Sequence, residues 1–124
     1  MQFDLETTYL SLNGQGGVTQ HAGGEQFWRT IDSNADLLST LVTVSPTDRD
    51  WPHWEMHPEG DEILVMLEGT QTLVLDLDGA VSEQVMTAGT TFVVPAGVWH
   101  RAKMSEPTRM LAITYGAGTT HRSL

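Results

Sequence analysis

From Trp51 onward the chain is cut into short apolar runs by turn residues, and this spacing leaves room for little besides β-strands. Ile63-Leu64-Val65-Met66-Leu67 stops at Glu68-Gly69, and Thr72-Leu73-Val74-Leu75-Asp76-Leu77 stops at Asp78-Gly79. An Asp-Gly pair between two such runs signals a tight hairpin, because both central residues of that turn need positive φ. Val81 to Met86 turns at Ala88-Gly89, and Thr90 to Val94 turns at Pro95-Ala96-Gly97. Val98 to Lys103 and Met110 to Tyr115 complete the series. Strands recurring every ~8–12 residues predict an all-β sandwich or barrel. Closing or doubling the sheet also hides its edges.

Upstream the pattern is looser. Residues 11–25 carry five glycines, which predicts a loop or an irregular lead-in. A buried pattern resumes from Phe27-Trp28 through Leu41-Val42-Thr43-Val44, with a strand at the β-branched positions 42–44. Ser45-Pro46-Thr47-Asp48 reads as the turn that ends it. A chain of 124 residues accommodates one domain with one core. The expected division is a lead-in over 1–25, a β-barrel over 26–118 and a polar tail over 119–124.

Composition removes several function classes. With no cysteine there are no disulfides, thiolate metal sites or cysteine nucleophiles. The 16 acidic and 6 basic residues give a formal charge of -10, which repels phosphate backbones and anionic lipid, so nucleic-acid binding is not expected. No stretch approaches the ~18 apolar residues that span a membrane. Met1-Gln2-Phe3-Asp4-Leu5-Glu6 lacks a basic segment before an apolar run, so no signal peptide is read and a soluble, cytoplasmic protein is expected.

The chemistry-bearing residues form two patches. In the first, His53, Glu55 and His57 alternate, so an extended backbone puts them on one face. Pro58-Glu59-Gly60 then bends the chain, and Glu62 opens the next strand beside His57. In the second, His100 follows the Pro95-Ala96-Gly97 turn and can close the cluster from across the sheet. Neutral imidazole with carboxylate is a donor set for divalent Fe, Mn, Ni, Cu or Zn. Trp51 shares the parity of His53, and Leu64 and Met66 share that of Glu62, so these three and His53 are the expected pocket walls. Trp54 and Trp99 should point away from the ligands, toward packing or a partner subunit. His21 and His121 read as ordinary surface histidines in loop and tail. Arg101 and Arg109 are expected to pair with nearby acids rather than to meet an anionic substrate.

These residues carry a resemblance to the cupins, a family of small double-stranded β-helix (jelly-roll) barrels. The family's first motif is Gly-x5-His-x-His-x3-4-Glu-x6-Gly, and the chain has Glu55-x-His57-x4-Glu62-x6-Gly69. The second is Gly-x5-Pro-x-Gly-x2-His-x3-Asn, and the chain has Gly89-x5-Pro95-x-Gly97-x2-His100-x3-Met104. The resemblance implies a metal held by His57, Glu62 and His100. Glu55 stands where the family has its first histidine, and it can serve as a fourth ligand, as a catalytic general base, or turn away. Met104 replaces the final asparagine. What the resemblance implies for function is a metal-dependent oxygenase or isomerase acting on a small organic molecule. The alternative is a non-catalytic barrel that binds or senses a small molecule, because one fold hosts many activities. A homodimer paired through its sheets is also expected.

Overall fold

The computed structural model describes residues 1–31 and 39–124. In chain order the described elements are β1 (Thr8–Leu12), β2 (Val18–Ala22), α1 (Glu25–Thr30), β3 (Thr40–Thr47), β4 (His53–Met56) and β5 (Glu62–Glu68), followed by β6 (Gln71–Leu77), β7 (Ala80–Met86), β8 (Thr91–Val94), β9 (Trp99–Lys103), β10 (Thr108–Tyr115) and β11 (Thr120–Ser123). They form two antiparallel sheets, β2-β1-β3-β10-β5-β8 and β11-β4-β9-β6-β7. This is the all-β, cupin-type jelly roll that the turn spacing and the two motifs predict.

Alternation along the strands decides what fills the space between the sheets. On β5, Glu62, Leu64 and Met66 are buried while the residues between them are only partly covered. From the other sheet, Leu73 and Leu75 of β6 and Met86 of β7 meet them, and Val94 and Met110 complete a continuous core. Trp51, Phe92, Val98 and Ala112 pack on its margin. Burying each large apolar side chain stabilises the fold by roughly 1.5–3 kcal/mol, so this cluster is the main driving term. A smaller cluster, Tyr9, Phe27 and Leu41, fastens α1 to the first strands, with the Tyr9 and Phe27 rings edge to face at 4.9 Å.

Three segments differ from the sequence expectation. The glycine-rich lead-in contains the β1–β2 hairpin, joined to β3 through Leu10↔Val42 and its neighbours. Gly14, Gly16 and Gly17 occupy the connecting turn, where Asn13 Oδ1 accepts the Gln15 and Gly17 amides. The turn expected at 45–48 is instead strand, since β3 runs through Pro46 to Thr47 and pairs with β10 as far as Thr108↔Thr47. Proline is tolerated there because β1 pairs with β3 only over Thr40 to Val42, so the missing amide faces no ladder. Residues 119–124, expected as a tail, contain β11, which pairs with β4 from Thr120↔Met56 to Ser123↔His53. Of the buried pattern expected between Phe27 and Val44, positions 32–38 lie outside the described residues.

The hairpin at Asp78-Gly79 forms as expected, with φ of 54° and 90°, and Asp76 Oδ1 accepts the Gly79 amide at 2.7 Å. Gly69, in the β5–β6 turn, is under a second constraint. Its φ is +78°, and a Cβ there would lie 2.5 Å from the Pro107 carbonyl oxygen. Gly79 at φ +90° has nothing within 4 Å of that position. Gly69→Ala should therefore lose about 3 kcal/mol or more, backbone strain plus steric overlap, and Gly79→Ala only about 1 kcal/mol. Urea denaturation of the two variants checks this, and equal losses would mean that the close approach to Pro107 is relieved at no cost.

Candidate metal centre

Two turns bring the site together. The chain leaves β4 at Met56, passes His57 and reverses through residues 58–61 into Glu62 at the head of β5. The second-motif turn is tied to the first: Gly97 N donates to the His57 carbonyl at 2.9 Å, and Ala96 N to Asp61 Oδ1 at 2.9 Å. Glu55 and His100 are direct cross-strand partners on β4 and β9, so both point to the same side of their sheet. Glu62 reaches them from the opposite sheet. Its own cross-strand partner, Thr114 on β10, donates its hydroxyl to Glu62 Oε2.

The result is a carboxylate held between two imidazoles. Glu62 Oε1 lies 3.1 Å from His100 Nε2, and Glu62 Oε2 lies 3.2 Å from His57 Nε2. Glu55 Oε1 stands 3.8 Å from His57 Nε2. Side-chain exposure is 0% for His100, 4% for His57 and 6% for Glu62, against 25% for Glu55, so the cluster opens past Glu55 alone. One ligand atom each from Glu55, His57 and His100 falls within a 4.8 Å span, close enough that the group could hold a metal ion.

Proton positions sharpen this geometry. His100 Nδ1 lies 3.0 Å from the Val98 carbonyl, which can only accept, so Nδ1 carries a hydrogen. His57 Nδ1 lies 2.7 Å from Thr119 Oγ1. In the neutral tautomer of His100, the Nε2 lone pair then faces a carboxylate oxygen. Such an arrangement is repulsive unless a cation sits between them, either a proton on His100 or a metal. His57 Nε2 is buried and, although near Glu62, has no partner along a hydrogen-bond direction. An orphaned buried imidazole nitrogen is costly. A divalent ion accepting both Nε2 lone pairs and carboxylate oxygen satisfies every one of these groups, so the donor set fits the metal the resemblance implies.

The titration behaviour follows from the same contacts. Burial by itself would raise the Glu62 pKa, but the contacts and charges of His100 and His57 outweigh it and bring it from 4.5 down to about 2. Burial by itself would depress His100; the hydrogen bond and charge of Glu62 outweigh it and raise His100 above 6.5. A carboxylate that stays ionised while almost fully buried is one prepared for a cation.

The other residues singled out in the sequence occupy different positions. His53 lies at the mouth, its ring edge to face with His121 at 4.6 Å. Trp51 packs against His100 with ring centroids 6.0 Å apart. Leu64 and Met66 are fully buried beneath Glu62, inside the core. Trp54 and Trp99 face the outside of the five-stranded sheet, where the Arg122 guanidinium lies 5.2 Å and 4.6 Å from their rings. Arg101 stacks on Trp54 at 5.4 Å, away from the cluster, and Arg109 pairs with Glu6, Asp4 and Glu68. His21 is not in a loop but on β2, 2.7 Å from Ser11 Oγ. His121 is exposed, as expected, but on β11 and not in a tail: it sits opposite Glu55, with Nε2 3.7 Å from Glu55 Oε1. Sequence reasoning missed His121, Thr119 and Thr114 as neighbours of the cluster. The polar alternation Thr119-Thr120-His121-Arg122 was the available signal, but a strand polar on both faces reads like a tail.

Comparison with known proteins agrees with this architecture. Among solved structures, a cupin-2 domain protein from Shewanella frigidimarina superposes with a TM-score of 0.53 at 23% identity, over 60% of this chain and 69% of that one. Oxalate decarboxylase from Bacillus subtilis, described with Mn(II) centres, gives 0.57 at 19% identity over 68% of this chain and 24% of its own. Oxalate oxidase in complex with the substrate analogue glycolate gives the same TM-score and identity, over 68% of this chain and 46% of its own. At these identities the likeness is one of fold. An uncharacterized protein of Acanthamoeba polyphaga mimivirus is 28% identical over 85 residues, covering 68% of this chain, and the chain spans about half (51%) of that relative's length. The model of the Cupin domain family matches residues 40–114, which hold both motifs and all four residues of the cluster. The chain belongs to the cupin family.

Proposed function

We propose that Glu55, His57, Glu62 and His100 bind one divalent transition metal and that the chain uses it to act on a small oxygen-bearing organic molecule, as an oxygenase or isomerase. The observation that carries this reading is the pair of imidazole Nε2 atoms converging on the buried Glu62 carboxylate, one of them without a hydrogen-bond partner. When bound, the metal supplies Lewis-acid polarisation and a template for substrate oxygens. Oxalate decarboxylase and oxalate oxidase, which share the fold, have names that refer to a small oxygen-rich acid, and this supports the substrate class. Within the chain, Glu62 and the histidines hold the ion in a site closed to water on the core side by Leu64 and Met66. Glu55, the most exposed of the four, stands where a substrate enters and is placed to act as fourth ligand or as base. His53 and His121 flank that entrance.

Elemental analysis of protein purified without a histidine tag or chelator should find close to one metal per chain, lost in His57→Ala. Metal retained in Glu55→Ala would make Glu55 the base rather than a ligand. Bound metal with no turnover of small carbonyl, enol or carboxylate substrates would leave a binding module in place of an enzyme. Absence of metal, with none taken up on addition, would overturn the proposal.

Proton competition gives a second expected outcome. Metal binding must displace the proton that His100 keeps above its usual pKa. Affinity for Mn(II), followed by calorimetry from acid to mildly alkaline pH, should rise about tenfold per pH unit until His100 loses its proton, then level off. The break should fall above 6.5. For the metal-free protein the linkage runs the other way: the raised His100 pKa contributes stability that is complete below 6.5 and lost as pH rises through the folded value. A flat affinity profile would remove His100 from the ligand set.

A homodimer belongs to the same proposal. The outer face of the five-stranded sheet carries Trp54, Trp99, Arg101 and Arg122 together with Val81 and Val85, which are 62% and 69% exposed. Aromatic and arginine side chains are the usual anchors of such a surface. Sedimentation equilibrium should return the dimer mass, and Val85→Glu should return the monomer. A monomer in the unsubstituted protein would sink this part.

A further inference from the structure

The four residues of the cluster lie within the matched family region, but two of their neighbours, Thr119 and His121, lie beyond it. That region ends at residue 114, and the next segment, residues 116–123, folds back over β4 as a turn and then β11. The turn is built tightly. Thr119 N donates to the Gly116 carbonyl at 3.1 Å, and the Thr119 hydroxyl donates to the same oxygen at 2.8 Å. Gly118 adopts φ +74°, and a Cβ there would come within 3.0 Å of Pro58 Cγ, so the turn is pressed onto the residue that follows His57. Pairing of β11 with β4, His121 opposite Glu55, holds the segment in register.

The hydrogen-bond directions in this turn have a consequence for the metal centre. The single hydroxyl proton of Thr119 is already given to Gly116 O, so toward His57, 2.7 Å away, its oxygen can only accept. The His57 Nδ1 atom must then be the donor. In the neutral ring this leaves the hydrogen on Nδ1 and the lone pair on Nε2, the atom facing Glu62 and Glu55. An imidazole with its hydrogen on Nε2 would offer no lone pair to a metal there.

We propose that Thr119 is a positioning residue for the metal centre: by accepting from His57 Nδ1–H it fixes the tautomer and the ring orientation that make His57 a ligand. This rests on the metal-binding reading above. Partners of ligating histidines are worth ~10–100-fold in metal affinity when removed. The role falls to the turn that leads into the C-terminal strand, which makes closure of β11 on β4 part of building the site.

The test uses full-length protein with Thr119 replaced by Val, Ala or Ser. Nitrogen chemical shifts of the His57 ring in metal-free protein at alkaline pH read the tautomer directly, and Zn(II) titration reads affinity. The expected result is loss of the Nδ1–H tautomer and ~10–100-fold weaker Zn(II) binding in Thr119→Val and Thr119→Ala, with both restored in Thr119→Ser. Thr119→Ala keeps the test alive if the valine does not fold. Wild-type tautomer and affinity in the Val or Ala variant would overturn the proposal while leaving the metal site standing. Equal weakening in all three, tracking a lowered Tm, would overturn it as well, because the turn would then be acting only as structure. No Zn(II) binding by the unsubstituted protein, whatever the tautomer, would instead overturn the metal reading and this proposal with it.

Discussion

The structure turns on one buried carboxylate. Glu62 rises from one sheet and is met by His100 from the other and by His57 from the bend between β4 and β5. An isolated charge at that depth would be prohibitive, and breaking a buried pair by deleting one member typically costs about 3–5 kcal/mol. Every surrounding feature answers to this requirement. Thr114 donates to one Glu62 oxygen, the two imidazoles approach its oxygens, and the two motif turns are bonded to each other so that the three groups keep their spacing. The apolar core below excludes water and strengthens each of these contacts.

Much of this was legible in the sequence because two periodicities coincide. Turn residues at regular spacing announced strands, and the alternation within them placed Glu62, Leu64 and Met66 on one face, as the burial pattern has it. The motif spacing brought Glu55, His57, Glu62 and His100 together, and the structure holds them in one cluster. The failures have a common cause. β2 and β11 are edge strands with little apolar content, and they are almost wholly exposed, so no hydrophobic alternation marks them. Pro46 misled for a related reason, since only the ladder lost on one side of β3 makes a proline harmless there. Where a strand is held by backbone pairing rather than by burial, side-chain pattern carries no trace of it.

The same limitation hid the outer wall of the candidate site. Nothing in the residues Thr119 and His121 announces contact with positions some sixty places earlier in the chain; only the pairing of β11 with β4 supplies it. The C-terminal strand and the turn before it thus contribute little to the core, yet Thr119 of the turn meets His57 and His121 of the strand lies beside Glu55. Elements with few buried apolar contacts are the low-stability end of a structure. If the turn before that strand orients His57 as proposed, the quality of the site depends on the docking of the strand.

Charge completes the argument about Glu55. Two neutral imidazoles with Glu55 and Glu62 ionised carry two negative charges in a largely buried volume. A proton on His100 offsets one of them, which is why Glu62 raises the His100 pKa. A divalent cation offsets both and needs no proton. A histidine at position 55 would have left a single carboxylate, and a divalent ion would have overcompensated the site by one charge. With the proposed metal bound, carboxylate in place of imidazole at the mouth would move the balance toward a neutral site, tighten the hold on a divalent ion over a proton, and lower the reduction potential of a redox-active one. Glu55 is also the most exposed member of the cluster. Its charge acts where chemistry would occur, so the departure from the family pattern changes the character of the site without dismantling it.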